Sequence, residues 1–148
     1  MAAEIESIHG ADVFVLVYPI WFGTPPAMMK GYVERVLGAG FSHRAVHARK
    51  LHPLLSGKHL LSITSSGNTV QWLHLQNAWM SLRDVFDNYL ANAFSMASTE
   101  HLSLQSISED MDEHDAREKL HRVEELATET CARLIRAARA VDAQKVVE

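Results

Sequence analysis

The sequence predicts an α/β fold in which a parallel sheet carries helices on both faces. Two apolar runs, Val13–Tyr18 and Leu60–Ile63, are bounded by turn residues. The first run is unbroken, as is typical of a strand buried on both faces of a parallel sheet. Each run is followed by a short loop and then by a segment with helical periodicity. This alternation of strand and helix favours right-handed crossovers between parallel neighbours.

Length and composition place the chain among globular proteins. It has 148 residues, of which 47% are apolar and 22% are charged, so a sizeable core can form. There is no internal repeat or linker, and we predict a single domain over residues 1–148. The net charge of −4 provides no basic face for nucleic acid. No apolar run approaches the roughly 20 residues that span a bilayer. The acidic N-terminus is unlike a signal peptide, so a cytoplasmic location is expected.

The first part of the chain predicts a strand and a helix joined by an aromatic loop. Residues 2–9 indicate the end of a short helix. The strand Val13–Tyr18 leads into the loop Pro19–Pro26, where Thr24 is expected to cap the next helix through its hydroxyl. That helix is predicted over Ala27–Leu37, because its apolar residues recur with helical spacing.

Residues Phe41–Gly57 predict an irregular, basic surface excursion. It contains three histidines, His43, His47 and His52, which are potential metal ligands. No carboxylate or cysteine completes a ligand set, and neighbouring cations such as Arg44 repel a metal ion. The sequence therefore predicts no metal site here.

A long helix is predicted after the second strand. The strand ends in the small polar loop Thr64–Asn68, where Ser66 or Asn68 is an alternative helix N-cap. The helix is predicted over Gln71–Asn92. An apolar seam along it indicates packing on the chain's own sheet or on a helix of a second subunit. The seam consists of Trp72, Leu75, Trp79, Leu82, Phe86 and Tyr89.

The last part of the chain predicts a weaker strand and a final helix. The strand falls within Ala93–Ile107, and the helix runs from an N-cap at Asp112 to about Ala140, with Val141–Glu148 frayed. The single cysteine, Cys131, excludes an intrachain disulfide and is expected to be buried or half-buried in this helix. The apolar stripe expected to be buried comprises Leu120, Val123, Ala127, Leu134, Ile135 and Ala138.

Two loops at the carboxyl ends of successive strands form the candidate ligand site. The loop Pro19–Thr24 is aromatic, and the loop Thr64–Asn68 is small and hydroxylic. Ligands of open α/β sheets bind beyond the carboxyl ends of the strands. The pair suits a planar heteroaromatic ring, with apolar contacts from Trp21 and Phe22 and polar contacts to one edge of the ring. The hydroxyls available for that edge belong to Thr64, Ser65 and Ser66. Alternatively, the two rings cap a core or a dimer seam.

The same two segments resemble a known family. The residues YPIWFGTPPAMMKGYVERVL at Tyr18–Leu37, followed by TSSGN at Thr64–Asn68, resemble the flavodoxin-like NAD(P)H:quinone oxidoreductases. That family includes ancillary flavoproteins of bacterial potassium-efflux systems. The resemblance covers essentially the whole chain and the later part of the family's domain. It implies a flavodoxin-like three-layer α/β/α fold and a homodimeric flavoenzyme. Hydride would pass from NAD(P)H through FMN, or alternatively FAD, to a quinone.

The resemblance also implies roles for individual residues. Pro19, Ile20, Trp21 and Phe22 would contact the flavin ring, and Ser65, Ser66 and Gly67 would bind its pyrimidine edge. Trp72 stands where many members place a tyrosine near the flavin, although packing is the role that we favour for both Trp72 and Trp79. Ala78 falls near the position of a family histidine.

One departure from the family supports a second function. The family begins with a strand, a phosphate-binding loop, a helix and another strand, and the expectation is an N-terminally truncated fold lacking at least one βαβ unit of roughly 30 residues. The strand Val13–Tyr18 would then have an exposed edge. The alternative function is a truncated, non-catalytic flavodoxin-like interaction or regulatory module. Three questions stay open at this point: which electron acceptor is used, whether NADH or NADPH is the donor, and whether FMN or FAD is the cofactor.

Overall fold

Three parallel strands form the sheet of this protein. The computed structural model describes residues 8–39 and 41–145, with side chains through residue 140. The strands are β1 (Val13–Pro19), β2 (His59–Ser65) and β3 (Ser98–Leu104), in the order β1-β2-β3, and both neighbouring pairs are parallel. The predicted parallel α/β class is confirmed. Residues 2–7 of the expected first helix lie outside the described residues, as do Gly40 and residues 146–148 of the expected frayed end.

The helices alternate with the strands along the chain. Contacts divide the chain into two compact units, with the boundary between Ser108 and Glu109. The first unit contains the sheet, and the second contains the last helix. The helices are α1 (Ala27–Tyr32, continued by a π-helical turn over Val33–Leu37), α2 (His43–His47), α3 (Val70–Leu75), α4 (Ala78–Leu82, a π-helical Arg83–Asn88, then Tyr89–Ala93) and α5 (Glu113–Lys145).

Strand β1 is buried on one face, not on both as the sequence predicts. Leu16 and Tyr18 are buried, whereas Val15 is 49% exposed and Val17 is 66% exposed. The apolar run is unbroken in β1 and is interrupted by Ser62 in β2, but β1 lies at an edge of the sheet. The central strand β2 is the one whose five inner residues are all buried. The hydrophobic run therefore predicts the strand correctly and its environment incorrectly.

The main core lies on the sheet face that carries Leu16 and Tyr18. Because side chains alternate along a strand and the register pairs Leu16 with Ser62, the even-numbered residues of β1 and β2 share this face. Helices α1 and α4 supply the side chains that pack there. The buried cluster includes Leu16, Tyr18, Val33, Leu37, Leu60, Leu82, Phe86, Leu90 and Phe94.

The long helix predicted over Gln71–Asn92 is two helices with a π-helical turn in the second. Asn77 adopts a left-handed conformation with φ 56° between α3 and α4, as asparagine tolerates at helix ends. The wider π-helical turn then shifts the buried face by a residue. Leu90 is buried in place of the predicted Tyr89, which is exposed, and Leu75 is also exposed. A seam counted at 3.6 residues per turn does not reveal such a shift.

Helix α5 is capped as predicted, but its predicted burial is wrong. The Asp112 carboxylate accepts the Asp115 N–H at 2.8 Å, which confirms the N-cap. Leu120 and Ile135 are exposed, and so is Cys131. The helix also continues to Lys145 and does not end near Ala140. No helix among the described residues is long and apolar enough to cross a membrane.

The segment predicted as irregular contains helix α2 and a buried histidine. His43 and His47 lie one turn apart with their Nε2 atoms at 2.9 Å, whereas His52 is in the core, so the three do not converge. His52 Nε2 lies 2.8 Å from the Leu37 carbonyl oxygen, and its Nδ1 accepts two backbone N–H groups at 3.1 Å. This network assigns a neutral imidazole with its proton on Nε2. Burial lowers the pKa of His52, and the bond to the Leu37 carbonyl opposes that shift.

The lowered pKa of His52 makes stability depend on pH. The unfolded chain takes up a proton on this histidine as pH falls through about 6.5, while the folded chain holds it neutral. We expect the free energy of unfolding to decrease below that pH, with this group contributing at most about 1.4 kcal/mol per pH unit. Urea titrations between pH 7.5 and 5 measure it. The contribution should be absent in His52→Asn, whose amide oxygen can replace Nδ1 as acceptor.

The matched control for this prediction is His114→Asn, because His114 is exposed on α5. That variant should keep the wild-type dependence on pH. Equal slopes for wild type and His52→Asn would contradict the assignment.

Candidate functional site

The parallel pairing of β1 with β2 brings the two candidate loops together. Pro19 lies opposite Ser65 in the register. The Ile20 N–H donates to the Ser65 carbonyl at 2.8 Å, so the pairing continues one residue beyond β1. Both loops therefore leave the same edge of the sheet side by side, as the sequence predicts. This is where ligands of open α/β sheets bind.

The aromatic loop closes in a tight turn over Trp21–Thr24. The Trp21 N–H donates to the Thr24 carbonyl at 2.9 Å, and the Thr24 N–H donates back to the Trp21 carbonyl at 3.0 Å. The two central residues, Phe22 and Gly23, have φ of 50° and 78°, as in hairpin turns with two left-handed positions. The Thr24 hydroxyl donates to the Trp21 carbonyl at 3.1 Å. The predicted capping of α1 by Thr24 is therefore wrong, and Pro26 occupies the N-cap position.

The turn presents two aromatic rings to solvent. Trp21 is 62% exposed, and Phe22 is fully exposed. A bulky residue at positive φ costs of order 1–3 kcal/mol, and such residues cluster at binding sites. A Cβ on Gly23 would lie 3.3 Å from the Ala78 Cβ, so the turn sits close against the start of α4. The turn therefore keeps the Phe22 ring exposed to solvent, because its close contact with Ala78 restricts movement of the backbone.

Hydrogen bonds of Ser66 hold the hydroxylic loop in place. Ser66 is buried, and its Oγ accepts the Asn68 N–H at 3.0 Å. The Ser66 N–H donates to the Leu104 carbonyl at 2.9 Å. Thr69, and neither Ser66 nor Asn68, caps α3, since its Oγ1 accepts the Trp72 N–H at 3.2 Å.

Among the predicted ligand residues of this loop, Ser65 and Gly67 have the most open environment. Ser65 is half-buried and Gly67 is exposed, whereas the Thr64 side chain points into the core. Contact with flavin stays a prediction for every residue of both loops.

A third loop, which the sequence analysis missed, supports the second. It follows β3, where the Gln105 Oε1 accepts the Val70 N–H at 2.8 Å and the Ile107 N–H donates to the Ser66 carbonyl at 3.0 Å. No composition signal marks Gln105 or Ile107, because their role depends on which backbone groups they meet.

The two tryptophans of the predicted seam have different environments. Trp72 on α3 is 47% exposed, and its contact with a ligand stays a prediction. Trp79 on α4 packs its ring edge-on against His101, with centroids 4.8 Å apart. Its packing role, which the sequence analysis favoured, agrees with this contact.

A buried polar array lies directly beneath the two loops. The Ser62 hydroxyl donates to Asp87 Oδ1 at 2.7 Å, and Asp87 Oδ2 lies 2.5 Å from His101 Nδ1. His101 Nε2 in turn lies 2.8 Å from the Thr64 Oγ1. The side chains of Asp87 and His101 are each only 1% exposed. The array links β2, β3 and the π-helical part of α4 through groups that all have a partner.

Tyr18 extends this polar region to β1. Its hydroxyl is buried without a hydrogen-bond partner among the described residues. Burial raises the pKa of Tyr18 above its usual range, the nearby charge of Asp87 raises it further, and Ser62 acts in the opposite direction. Tyr18 directly precedes Pro19, the first residue of the aromatic loop. Thr64 directly precedes Ser65 in the hydroxylic loop. The polar array therefore joins β2 to β3 and α4 beside the candidate site, and Tyr18 of β1 lies near it.

Breaking the array at Asp87 should destabilise the protein strongly. Asp87→Ala leaves Ser62 and His101 without their partner in the core, and removal of one member of a buried pair costs about 3–5 kcal/mol. Urea denaturation measures this loss. The matched control is Asp84→Ala in the same π-helical turn, whose exposed carboxylate accepts a hydrogen bond from the Asn88 amide at 3.0 Å.

The control variant should change the free energy of unfolding by no more than about 0.5 kcal/mol. Similar losses for Asp87→Ala and Asp84→Ala would contradict a structural role for the array.

Comparison with known families agrees with this architecture. The family profile for the flavodoxin-like fold matches residues 1–127. The chain belongs to the flavodoxin-like family. The predicted resemblance and fold class, including the parallel sheet, are therefore confirmed for this flavodoxin-like chain.

One curated relative and two solved structures are similar to this flavodoxin-like chain. The rat protein "NAD(P)H dehydrogenase [quinone] 1" is 39% identical over 69 residues, which are 46% of this chain and 25% of the relative. The chain thus matches about a quarter of that relative's length. An NAD(P)H:quinone oxidoreductase from Methanothermobacter marburgensis has a TM-score of 0.61 at 20% identity, over 81% of this chain and 57% of that chain.

The third comparison shows why fold alone does not assign activity. A structure described as a thermophilic tryptophan halogenase from "Streptomycin violaceusniger" has a TM-score of 0.66 at 15% identity, over 84% of this chain and 70% of that chain. At such identities the two solved structures establish the fold only. Function has to be argued from the site.

Proposed function

We propose that this protein is a flavin-dependent oxidoreductase of the NAD(P)H:quinone type that works as a cytoplasmic homodimer. The observation that carries the proposal is the pair of exposed rings, Trp21 and Phe22, held on a strained turn beside the Ser65–Gly67 loop. An enzyme of this class uses bound FMN, or alternatively FAD, to accept hydride from NAD(P)H and pass it to a quinone.

The residues of the two loops fit an isoalloxazine ring. Neither Pro19–Thr24 nor Thr64–Asn68 contains a charged residue, which suits a neutral polycyclic ring. Trp21 and Phe22 offer apolar faces that stack on such a ring and exclude water from it. Ser65 and the exposed Gly67 backbone would orient its polar edge, since pyrimidine carbonyl groups accept hydrogen bonds.

Two names among the comparisons support the same assignment. Both the rat relative and the archaeal structure are described as NAD(P)H:quinone enzymes. Their descriptions agree with the function that the sequence resemblance implies.

A second candidate function is a non-catalytic interaction module. The observation that favours it is the open apolar edge at β1, where Val15 and Val17 are exposed beside a groove of about 720 Å³. A module of this kind would bind a partner through the edge and would not oxidise NAD(P)H. Turnover of NADPH with a soluble quinone by the purified, flavin-loaded chain would exclude it.

A flavin titration tests the role of the aromatic turn. We expect FMN fluorescence to be quenched saturably by the wild-type chain, and riboflavin to bind about as tightly as FMN, because the two loops contact the ring and offer no cation for a phosphate. Trp21→Ala should weaken binding about tenfold, as removal of an aromatic contact costs about 0.5–1.5 kcal/mol beyond lost area.

The matched control is Leu51→Ala, which removes an exposed apolar side chain outside both loops. It should leave the affinity for FMN unchanged. Unchanged affinity in both Trp21→Ala and Phe22→Ala would overturn the assignment of the aromatic turn as the ring-binding surface.

A further inference from the structure

Two exposed histidines meet on helix α2, outside the two candidate loops. His43 and His47 are both exposed, and their Nε2 atoms are 2.9 Å apart. Their ring centroids are 4.2 Å apart. Because the nitrogens are closer to each other than the centroids are, the rings lean together at their Nε2 ends. The pair therefore presents two imidazole nitrogens side by side to solvent.

The backbone of α2 keeps these two rings together. Residues four apart on a helix lie one above the other on the same face. At the start of the helix the Ser42 Oγ accepts the Ala45 N–H at 3.2 Å. Beyond its end the Lys50 N–H donates to the Ala45 carbonyl at 3.0 Å. Val46 packs against the main core. The helical turn is thus anchored at both ends and on its inner side.

The spacing of the two nitrogens matches that of neighbouring ligands on a metal ion. With metal–nitrogen bonds of about 2.0–2.1 Å, two ligands at a right angle are about 2.9 Å apart, and two tetrahedral ligands are about 3.4 Å apart. The observed separation of 2.9 Å is the first of these. Right-angled, tetragonal sites with nitrogen ligands are typical of copper(II) and nickel(II).

We propose that His43 and His47 chelate a divalent transition-metal ion, with copper(II) bound most tightly and water in the remaining coordination positions. In the metal-free pair one Nε2 carries a proton that the other Nε2 accepts as a hydrogen bond. A metal needs the lone pair of both nitrogens, so this proton moves to Nδ1 of its own ring when the ion binds. Neither ring changes its charge, and the ion keeps its oxidation state.

The structure removes the two reasons for which the sequence predicts no metal site in this segment. The first reason is that three histidines lack a carboxylate or cysteine to complete a set. His52 is buried in the core, and the remaining two imidazoles form a chelate by themselves. The second reason is repulsion by neighbouring cations. Arg44 lies about 100° around the helix from His43, so it projects from a different face, and solvent screens its exposed charge.

Calorimetric titration of the full, untagged chain with copper(II) chloride tests the site. We expect the tightest site of the wild type to hold about one ion per chain. His43→Ala and His47→Ala should each weaken that site at least about tenfold, because a single imidazole loses the advantage of a linked second ligand. Both side chains are exposed, and alanine favours a helix, so both variants should fold. Electron paramagnetic resonance should show two coordinated imidazoles in the wild type and one in each variant.

Two matched controls separate the geometry of the pair from the number of histidines. The double variant His47→Ala with Ala48→His keeps that number but places the rings about 140° apart around the helix, and it should bind as weakly as His47→Ala. His114→Ala removes a ligand from another exposed group on α5. That group comprises His114, Asp115 and Glu118, whose potential ligand atoms lie within 4.8 Å of one another. This variant should keep the tight site.

Three results would refute the proposal. They are a wild-type chain that does not bind copper(II) saturably, equal affinity in the wild type and His47→Ala, and a tight site that is kept in the double variant or lost in His114→Ala. The titrations contain no flavin, so their outcome is independent of the function proposed above.

Discussion

The hydrogen bonds on both sides of β2 determine where the loops of this protein lie. The Ser65 carbonyl accepts from Ile20 after β1, and the Ser66 N–H donates to Leu104 of β3. A shift of the register by one residue would move the aromatic turn away from the hydroxylic loop and turn every side chain to the other face. The relative position of the two candidate loops therefore depends on the pairing of the central strand more than on any residue within the loops.

The buried array of Asp87, His101, Ser62 and Thr64 explains how that pairing tolerates polar groups in the core. Each member meets another at hydrogen-bonding distance, so the cost of removing these groups from water is offset locally. An apolar core could slide with little penalty, whereas an array of directional bonds is satisfied in one arrangement. The array therefore favours a single arrangement of β2, β3 and α4.

The sequence predicts the three strands and the two loops because those features depend on local composition. Long apolar runs bounded by turn residues have few alternatives, and two aromatic residues beside a glycine identify the exposed turn. The break at Asn77 and the π-helical turn at Arg83–Asn88 could not be predicted in this way. They depend on tertiary contacts that override a regular seam, such as the burial of Asp87 beside Phe86.

The polar array was equally inaccessible from the sequence. Asp87 lies 25 positions from Ser62 and 14 from His101, and nothing local marks any of them as partners. Alternation along β2 does place Ser62 and Thr64 on one face, but only the register reveals that His101 lies on the same face. For the same reason the sequence does not reveal that the Thr64 hydroxyl, a predicted ligand contact, lies 2.8 Å from His101 Nε2.

The unequal edges of the sheet have a consequence for growth. A sheet that is adhesive along both sides can add copies without limit and form fibres, whereas one that is adhesive along a single side is used up by its first isologous partner. The β3 edge carries polar residues such as Glu100. The β1 edge carries no charge over Val13–Tyr18, so a segment that covers it keeps these backbone groups from pairing with other chains.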